Sequence, residues 1–408
     1  MNTADERVRW RPRLPRGLPG TVVALGFVSL LTDASSEMIY PLLPAFLVSL
    51  GAGRAFVGLV EGVAESTAAF VKLFSGVWSD RLPRKKPLVL MGYGLSSAVR
   101  PMVALAASPW HVLAIRFIDR VGKGVRSSPR DALIAQSTPA DRRGLAFGFH
   151  RAMDHTGALI GPLVAYALMS WLDLTTRAVF AVALIPAVAT MVVLLWGVRE
   201  TGPAQSKPKS AQTQEDRTAL PRPLWTYFGV LAVFTLGNSS DAFLLLKASR
   251  TGLSAAHLPL LWAFIHVVKA TLSTPLGALS DRLGRKPTIV VGWCVYAISY
   301  LGFAFANQAW HIWALFGVYG CFFAATEGAE KALVADLAPP EARGRAFGVF
   351  HSLVGVMALP ASLGFGLLWD VFGPEVAFTT GAGLAALAGS GLLAFVPGRG
   401  LTLTDRQG

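Results

Sequence analysis

Residues 79–87 of this 408-residue sequence read Ser-Asp-Arg-Leu-Pro-Arg-Lys-Lys-Pro, and residues 280–287 read Ser-Asp-Arg-Leu-Gly-Arg-Lys-Pro. Three further matches keep an offset close to 200 residues: Trp110-His111 with Trp310-His311, Ala132-Leu133 with Ala332-Leu333, and Gly144-Leu145-Ala146-Phe147-Gly148 with Gly344-Arg345-Ala346-Phe347-Gly348. A register that holds over this distance is an internal repeat. The sequence therefore predicts two structurally equivalent halves.

The chain around these stretches is strongly apolar. Hydrophobic residues make up 53% of it, charged residues 15%, and the mean hydropathy is +0.50, which leaves too little polar surface for a soluble protein. Apolar runs long enough to cross about 30 Å of hydrocarbon recur along the chain, and in lipid each backbone polar group must be satisfied within its own helix. We therefore predict an all-α membrane protein with twelve transmembrane helices, at residues 20–48, 56–80, 87–107, 110–136, 143–170, 175–197, 223–248, 257–281, 287–307, 309–336, 343–371 and 375–397.

Basic residues are unevenly distributed between the loops at the two ends of these helices. One end has only Arg54, Arg177 and Arg250, whereas the loops of the other end include Arg81, Arg84, Lys85, Lys86, Arg142, Arg143, Arg199, Arg222, Arg282, Arg285, Lys286, Arg343 and Arg345. This positive-inside pattern predicts a multi-pass protein of a bacterial-type cytoplasmic (inner) membrane with both termini in the cytoplasm. It also accounts for the net charge of +13, so no nucleic-acid partner is needed to explain that charge.

The repeat and the charge pattern divide the chain into five parts. We predict a cytoplasmic tail at 1–19, a six-helix bundle at 20–197, a linker at 198–222, a second six-helix bundle at 223–397 and a tail at 398–408. The first tail lacks the apolar core and cleavage site of a signal peptide, and the linker has the polar composition of a flexible connection. Duplicated halves of this kind place a substrate site between them, near the bilayer midplane.

The two quoted stretches resemble the signature loops of the major facilitator superfamily. The first copy has the pattern Gly76-x-x-x-Asp80-Arg81-x-x-Arg84-Lys85, and the second has Gly277-x-x-x-Asp281-Arg282-x-Gly284-Arg285-Lys286. Pro83 stands with an extra residue where the second copy has Gly284. The resemblance covers residues 20–397 and implies the major facilitator fold. It also implies that Asp80 and Arg84 control conformation and do not contact substrate, while the basic residues of the loop also suit anchoring at an anionic membrane surface.

The fifth predicted helix contains a second resemblance. Gly157-Ala158-Leu159-Ile160-Gly161-Pro162 is similar to the glycine-proline motif of proton-coupled drug exporters in the same superfamily, although Ala165-Tyr166 replaces its closing glycine pair. Small residues at this spacing let helices approach closely, and proline permits bending. The motif implies an exporter, and tight helix packing is the alternative reading.

The fourth predicted helix carries a row of five bases, which we call the basic stripe: Arg116, Arg120, Lys123, Arg126 and Arg130. At about 100° per residue they fall within roughly 120° of one face, which Asp119 and Asp131 border. Ionisable groups at this depth cost several kcal/mol unless they are paired or hydrated, so the stripe must face a cavity or acids on neighbouring helices. The first half's membrane segments hold eight acids and eight bases. That balance favours mutual pairing, with one or two unpaired bases available to an anion.

The tenth predicted helix, the repeat counterpart of the fourth, carries acids in place of bases. Arg130-Asp131 aligns with Glu330-Lys331, and Glu327 lies one turn before Lys331, which suits an intrahelical pair. We hypothesise that Arg126 or Arg130 contacts Glu327 or Glu330 when the cytoplasmic side closes. Pairing within each half is the equally weighted alternative.

Energy must come from an ion gradient, because Gly122-Lys123-Gly124 lacks the context of a nucleotide-binding loop. We expect no cofactor and a proton gradient, since buried carboxylates exchange protons. Asp241 follows Ser239-Ser240 as Glu37 follows Ser35-Ser36. The candidates for proton or substrate binding are Asp33, Glu37, Glu61, Glu65, Asp241, Glu327 and Glu330, and a structural ion-pair role is the alternative for each.

The sequence therefore predicts a secondary active transporter. There is no catalytic motif of an intramembrane enzyme, and the scattered histidines, with Cys294 and Cys321, predict no metal site. We expect a monomeric proton-coupled antiporter that exports small toxic or drug-like molecules by alternating access. The alternative is transport, in either direction, of an anionic solute or a metal or metalloid compound, as in organoarsenical or nickel-type resistance. Residues 122–133 resemble a run in relatives linked to export of toxic metals or organic arsenicals.

Overall fold

A computed structural model describes residues 18–82, 84–139, 142–199, 219–339 and 342–397, with the backbone alone for Val77, Asp80, Arg81 and Gly144. Almost all of the predicted tails and most of the predicted linker lie outside these residues, as does Pro83.

The described residues form twelve helical segments, and each begins and ends within two residues of its predicted bounds. The first six are α1 Gly20–Ser49, α2 Arg54–Arg81, α3 Lys86–Leu105, α4 Pro109–Ser137, α5 Arg143–Trp171 and α6 Thr176–Gly197. The second six are α7 Arg222–Arg250, α8 His257–Leu283, α9 Arg285–Phe305, α10 Ala309–Leu337, α11 Arg343–Phe372 and α12 Pro374–Phe395.

Nine of these segments, among the described residues, are long and apolar enough to cross a membrane. The other three are α2, α4 and α5, which carry more charged and polar residues. All three belong to the first half, so the charges that lower their hydropathy are concentrated in one bundle.

The first helix of each half is interrupted near its middle. In α1 the helix ends at Ile39 and continues from Leu43 after a short 3-10 turn that contains Pro41. In α7 the helix ends at Gly237 and resumes at Ala242. Proline lacks an N–H and cannot continue the hydrogen-bond ladder, whereas the break in α7 contains no proline. Both breaks lie beside the predicted carboxylates, Glu37 in α1 and Asp241 in α7.

Helix packing repeats between the halves. In the first half α2 and α3 both pack on α4, and α1 packs on α6; in the second half α8 and α9 both pack on α10, and α7 packs on α12. The halves meet mainly along two helix pairs, α2 with α11 and α5 with α8. These equivalent packings give the molecule the approximate two-fold relationship that the sequence repeat predicts.

Glycines allow close helix contacts at these interfaces. A Cβ at Gly58 of α2 would clash with the backbone oxygen of Ser362 in α11, and one at Gly62 would lie 2.7 Å from the Cα of Leu359. Within the first half, a Cβ at Gly161 of α5 would lie 2.5 Å from the backbone oxygen of Ala34 in α1. These positions therefore need glycine, because any side chain would push the helix backbones apart.

The two ends of the bundle differ. We call the end with loops 82–85, 138–142, 284 and 338–342 the basic end, and the opposite end the far end. At the far end the halves close: Asp370 of α11 accepts N–H bonds from Arg54 (3.0 Å) and Ala55 (2.8 Å) in the first turn of α2. Towards the basic end, Lys123 of α4 and Glu327 of α10 are exposed within long helices. Because charged side chains within membrane helices avoid lipid, we interpret these exposed charges as the lining of a cavity between the halves that opens at the basic end.

Candidate functional site

Two bases of the basic stripe are paired with acids of α2. Arg116 donates from Nη2 to both carboxylate oxygens of Glu61, at 2.8 and 2.9 Å, and both side chains are less than a tenth exposed. One turn further along, Arg120 lies 3.5 Å from Glu65. The packing of α2 on α4 brings these rows together. The charges of Arg116 and Arg120 are therefore compensated inside the first half.

The side of α4 that faces α3 carries a second buried pair. Arg100 of α3 donates to Asp119 at 2.9 Å and to the backbone oxygen of Thr32 in α1 at 3.0 Å. Arg126 donates to Ser96 at 2.7 Å and lies over the ring of Tyr93, 4.4 Å from its centroid. Asp119 and Arg126 thus make these contacts with residues of the first half.

Arg130 and Lys123 complete the basic stripe. Arg130 donates to its neighbour Asp131 from both Nε and Nη2, at 3.0 and 2.8 Å. Lys123 is exposed to the cavity and, among the described residues, its ammonium forms no hydrogen bond and no ion pair within 4.0 Å. Of the five stripe bases, Lys123 is the one left available to a ligand.

Glu37 of α1 connects the two halves. The indole Nε1–H of Trp262 in α8 donates to Oε2 of Glu37 at 2.7 Å, and the Trp262 ring packs against Tyr40 with 5.0 Å between centroids. Asp33 lies one turn earlier, and its carboxylate has no ion pair within 4.0 Å among the described residues. Both predicted acids of α1 therefore lie at the interface side of their helix without a basic partner in direct contact.

Asp241 lies at the break of α7 and accepts a hydrogen bond from the Tyr319 hydroxyl of α10 at 2.6 Å. Lys269 of α8 interacts electrostatically with Asp241, Glu327 and Glu37. The Lys269 ammonium lies 3.5 Å from the centroid of the Phe323 ring and 5.7 Å from that of Trp262. The second half thus contributes Asp241, Lys269 and several aromatic rings to the site.

The acids of α10 make contacts within their own half. Glu327 accepts from Lys331 at 2.9 Å, one turn away as the spacing predicted, and Glu330 accepts from the indole of Trp293 at 3.0 Å. Neither acid contacts Arg126 or Arg130 in this open arrangement, so the hypothesis of a pair in the closed state stays a prediction. Beyond its pair with Lys331, Glu327 interacts electrostatically with Arg151 of α5 and Lys269 of α8.

The second signature loop is fixed within the second half. Arg285 forms ion pairs with Asp281 and, at 3.6 Å, with Asp336 at the end of α10. Gly284 has φ 100°, which favours glycine, whereas the sequence of the first copy has one residue more at this point. A Cβ at Gly277 would meet no described atom within 4 Å, and Arg282 is exposed.

In the first signature loop, Gly76 faces Ser128 of α4 and Arg84 is exposed, while the side chains of Asp80 and Arg81 lie outside the described atoms. The lysine that precedes the proline of each loop has a role that the sequence did not suggest. Lys86 donates to the backbone oxygen of Val198, beyond the end of α6, and Lys286 donates to that of Val396, beyond the end of α12, both at 2.6 Å. Each lysine caps the carbonyl end of the last helix in its half.

The helix-five motif packs α5 against α1. A Cβ at Gly157 would clash with the backbone oxygen of Leu30, as one at Gly161 would with Ala34, and Pro162 lies inside the helix. Nearby, Asp154 accepts from Ser29 and lies 3.5 Å from His150. Within the described part of the chain no group of three potential metal ligands occurs, and Cys294 and Cys321 are free thiols.

Sequence reasoning missed most of the aromatic wall of the cavity. Trp262, Tyr319 and Phe323 contact a predicted acid or Lys269, and Tyr40 packs against Trp262. Aromatic residues are common throughout the chain, and no motif marks these four. Lys269 did carry a signal, because it is a single base in an otherwise apolar stretch of the eighth helix.

Comparisons with known proteins agree with this architecture. The sequence profile of the Major Facilitator Superfamily matches residues 25–268 and 252–404. The chain is 33% identical over 396 residues to an uncharacterized MFS-type transporter of Methanocaldococcus jannaschii, which spans 96% of this chain and 98% of that protein. It is 26% identical over 401 residues to the multidrug resistance protein MdtG of Citrobacter koseri, spanning 93% and 95% of the two chains.

Solved structures share the fold at lower sequence identity. The nucleoside transporter NupG superposes with a TM-score of 0.76 at 14% identity, over 92% of this chain and 98% of that one. A D-xylose-proton symporter superposes with a TM-score of 0.72 at 20% identity, over 93% and 98%. At these identities the likeness shows a common architecture of the backbone.

Proposed function

The chain belongs to the Major Facilitator Superfamily, and from that premise we propose that it is a proton-coupled antiporter that exports small drug-like or toxic molecules by alternating access. The family and the structural neighbours are membrane transporters, so the chain is a transporter and not an enzyme. Its substrate is a small molecule, and it works in a lipid bilayer.

All twelve helical segments cross the membrane in this proposal. The charges of α2, α4 and α5 do not prevent it, because they face partners or the cavity and avoid lipid. The basic end faces the cytoplasm of a bacterial-type cell, since lysine and arginine concentrate in its loops. The structure would then correspond to a cytoplasm-open state, in which an exporter receives its substrate.

The observation that carries the proposal is the contrast between two groups of acids. Glu61 and Asp119 hold arginines in buried pairs at 2.8 and 2.9 Å. Asp33, Glu37 and Asp241, among the described residues, have no ion pair within 4.0 Å and lie beside the cavity or the helix breaks. A carboxylate without a fixed basic partner can exchange a proton for a substrate, which is the requirement of an antiporter.

The similarity to MdtG supports export of drug-like molecules. That relative is described as a multidrug resistance protein, and the alignment spans nearly the whole of both chains. The cavity also has the mixed apolar and charged lining that suits amphipathic molecules, with Trp262 and Tyr40 beside Glu37 and Phe323 beside Lys269.

An anionic solute is the second candidate, and two lysines favour it. Lys123 and Lys269 come from opposite halves, and neither ammonium forms an ion pair within 4.0 Å with a described residue. An acidic substrate could bind between them. The arginines of the basic stripe contribute less to this reading, because Arg116 and Arg120 are already compensated by Glu61 and Glu65.

Uptake into everted membrane vesicles tests the proposal. With an imposed proton gradient, interior acidic, vesicles that contain the full chain should accumulate tetraphenylphosphonium or ethidium, and Glu37→Gln and Asp241→Asn should abolish this. Asp173→Asn is the matched control, because Asp173 lies in the far-end loop at φ 49°, a conformation that asparagine tolerates. Gradient-driven uptake of organic anions, arsenicals or nickel salts in place of both cations would favour the second candidate.

A further inference from the structure

The ammonium of Lys269, within α8, contacts aromatic rings and no carboxylate that the structure describes. Among the described residues its ammonium donates no hydrogen bond and lies within 4.0 Å of no carboxylate. A charge without an ion pair at this depth of a membrane protein is costly, so residues of this kind usually have a function. Neighbouring groups indicate what that function is.

The surroundings of the Lys269 ammonium match a binding site for an organic cation. The ammonium lies 3.5 Å from the centroid of the Phe323 ring and 5.7 Å from that of Trp262. The other neighbours of Trp262 include the Tyr40 and His266 rings and the Glu37 carboxylate. Asp241 and Glu37 attract the same ammonium at longer range. Aromatic ring faces combined with nearby carboxylates are the chemistry that recognises ammonium groups.

We propose that Lys269 is a built-in competitor of the substrate: its tethered ammonium occupies the place that the positive group of an organic cation takes during transport. This inference rests on the proposed function and names its substrate class, an organic cation with an apolar or aromatic body. When such a cation binds, the Lys269 side chain moves away from Phe323 and Trp262. When the cation leaves, Lys269 returns and restores the charge balance of the empty site.

This arrangement has a physical purpose. Without substrate and without the Lys269 ammonium, Glu37 and Asp241 would lie beside electron-rich rings. Their negative charges would then be stabilised only by the hydrogen bonds from Trp262 and Tyr319 and by more distant bases. A tethered cation supplies the missing charge and lowers the affinity for any external cation by direct competition. An exporter needs such moderate affinity, because it must release its substrate on the other side of the membrane.

An acidic ligand at the same position is less favourable. Its carboxylate would approach the negative faces of Phe323 and Trp262 and the carboxylates of Glu37 and Asp241. The two readings make opposite predictions for the removal of Lys269. Loss of a competitor raises the affinity for a cation, whereas loss of an anion-binding residue lowers the affinity for an anion.

Two nearly isosteric probes of opposite charge, tetraphenylphosphonium and tetraphenylborate, separate the readings. Their equilibrium binding should be measured on the purified full chain in nanodiscs, for wild type, Lys269→Met and Lys269→Arg. We expect Lys269→Met to bind tetraphenylphosphonium more tightly, on the order of tenfold for the loss of one nearby charge. Lys269→Arg keeps the charge and should bind both probes as the wild type does.

Lys247→Met is the control for a lysine removed elsewhere, because Lys247 donates to the backbone oxygen of Ala304 at the far end. It should leave binding of both probes unchanged. Unchanged or weaker tetraphenylphosphonium binding by Lys269→Met, with the melting temperature of the wild type, would overturn the inference, as would a loss of tetraphenylborate binding in that variant. If Lys269→Met unfolds, Lys269→Gln takes its place. Tighter tetraphenylphosphonium binding by Lys269→Gln would support the inference, and unchanged or weaker binding would overturn it.

Binding and transport can fail separately. If Lys269→Met binds the cation more tightly but vesicles show no proton-driven uptake, the antiport proposal is refuted. The proposal that Lys269 competes with the substrate is then kept. If the wild type shows proton-driven uptake but Lys269→Met has an unchanged cation affinity, the antiport proposal is kept. The proposal that Lys269 competes with the substrate is then refuted.

Discussion

The indole Nε1–H of Trp262 in α8 donates to the Glu37 carboxylate in α1 at 2.7 Å, which joins the two halves across the cavity. Glu37 is therefore both a carboxylate that could carry a proton and a direct contact between the parts that must move. A change in its charge alters the strength of this hydrogen bond, because charged acceptors bind donors more strongly than neutral ones. Proton binding and the relative position of the halves are thereby physically linked.

Removal of the indole donor should weaken this link. Trp262→Phe keeps an aromatic ring and loses the N–H, and a hydrogen bond to a charged group is worth about 1.5–3 kcal/mol. We expect proton-driven export of tetraphenylphosphonium to slow by about tenfold, and the double variant Trp262→Phe with Glu37→Gln to be as inactive as Glu37→Gln alone. Trp310→Phe is the control, since its indole donates to Gln308 at the far end. Export at the wild-type rate by Trp262→Phe would show that this hydrogen bond does not contribute to transport.

The buried pair of Glu61 and Arg116 should stabilise the first half. Glu61→Gln leaves a buried guanidinium without its bidentate partner, which typically costs about 3–5 kcal/mol, so the melting temperature of the purified protein should fall clearly. Replacement of both partners by methionine should restore much of it. Glu327→Gln, at a pair whose side chains are 60% and 38% exposed, should change the melting temperature little. Equal effects of the two single variants would contradict this assignment.

Asp370 should hold the far end closed. Its carboxylate accepts two backbone N–H groups at the start of α2, where the helix dipole favours negative charge. Asp370→Ala should shift the population towards a far-end-open state, and Asp370→Asn, which keeps an acceptor, should shift it less. The readout is the spin-label distance between Ser108→Cys and Asn307→Cys, with Cys294 and Cys321 replaced by serine. An unchanged distance distribution in Asp370→Ala would rule out this latch.

Glu327 should pair with a base of the first half when the basic end closes. Arg151 is a base of the first half that interacts electrostatically with Glu327. Arg130, in contrast, is hydrogen-bonded to Asp131, and Glu330 is hydrogen-bonded to Trp293. We expect the double swap Arg151→Glu with Glu327→Arg to restore export that each single swap abolishes. Rescue by Arg130→Glu with Glu330→Arg, in place of this one, would instead support the pair suggested by the sequence repeat.

The helices and their bounds were predictable because each depends on local composition. Apolar runs, flanking charges and the repeat fix where a helix begins and ends, and all twelve segments agree within two residues. The family membership was also predictable, because residues 79–87 and 280–287 match the signature loop residue by residue and not only in hydropathy.

The pairing of the charges was not predictable to the same degree. The sequence placed Arg116, Arg120 and Arg126 on one face of α4, but the structure divides them between α2 and α3 according to helix packing. Trp262 and Phe323 join the cavity through tertiary contacts alone. The capping by Lys86 and Lys286 was not predictable either, because it depends on the positions of the ends of α6 and α12 in the folded structure.

Proton movement driven by a substrate gradient tests the central claim most directly. The purified chain should be reconstituted into proteoliposomes that contain a pH-sensitive dye and a high internal concentration of tetraphenylphosphonium, with no initial pH difference. An antiporter predicts acidification of the interior as the cation leaves, and the loss of this signal in Glu37→Gln. Efflux of the cation without a pH change, or with alkalinisation of the interior, would contradict proton-coupled antiport.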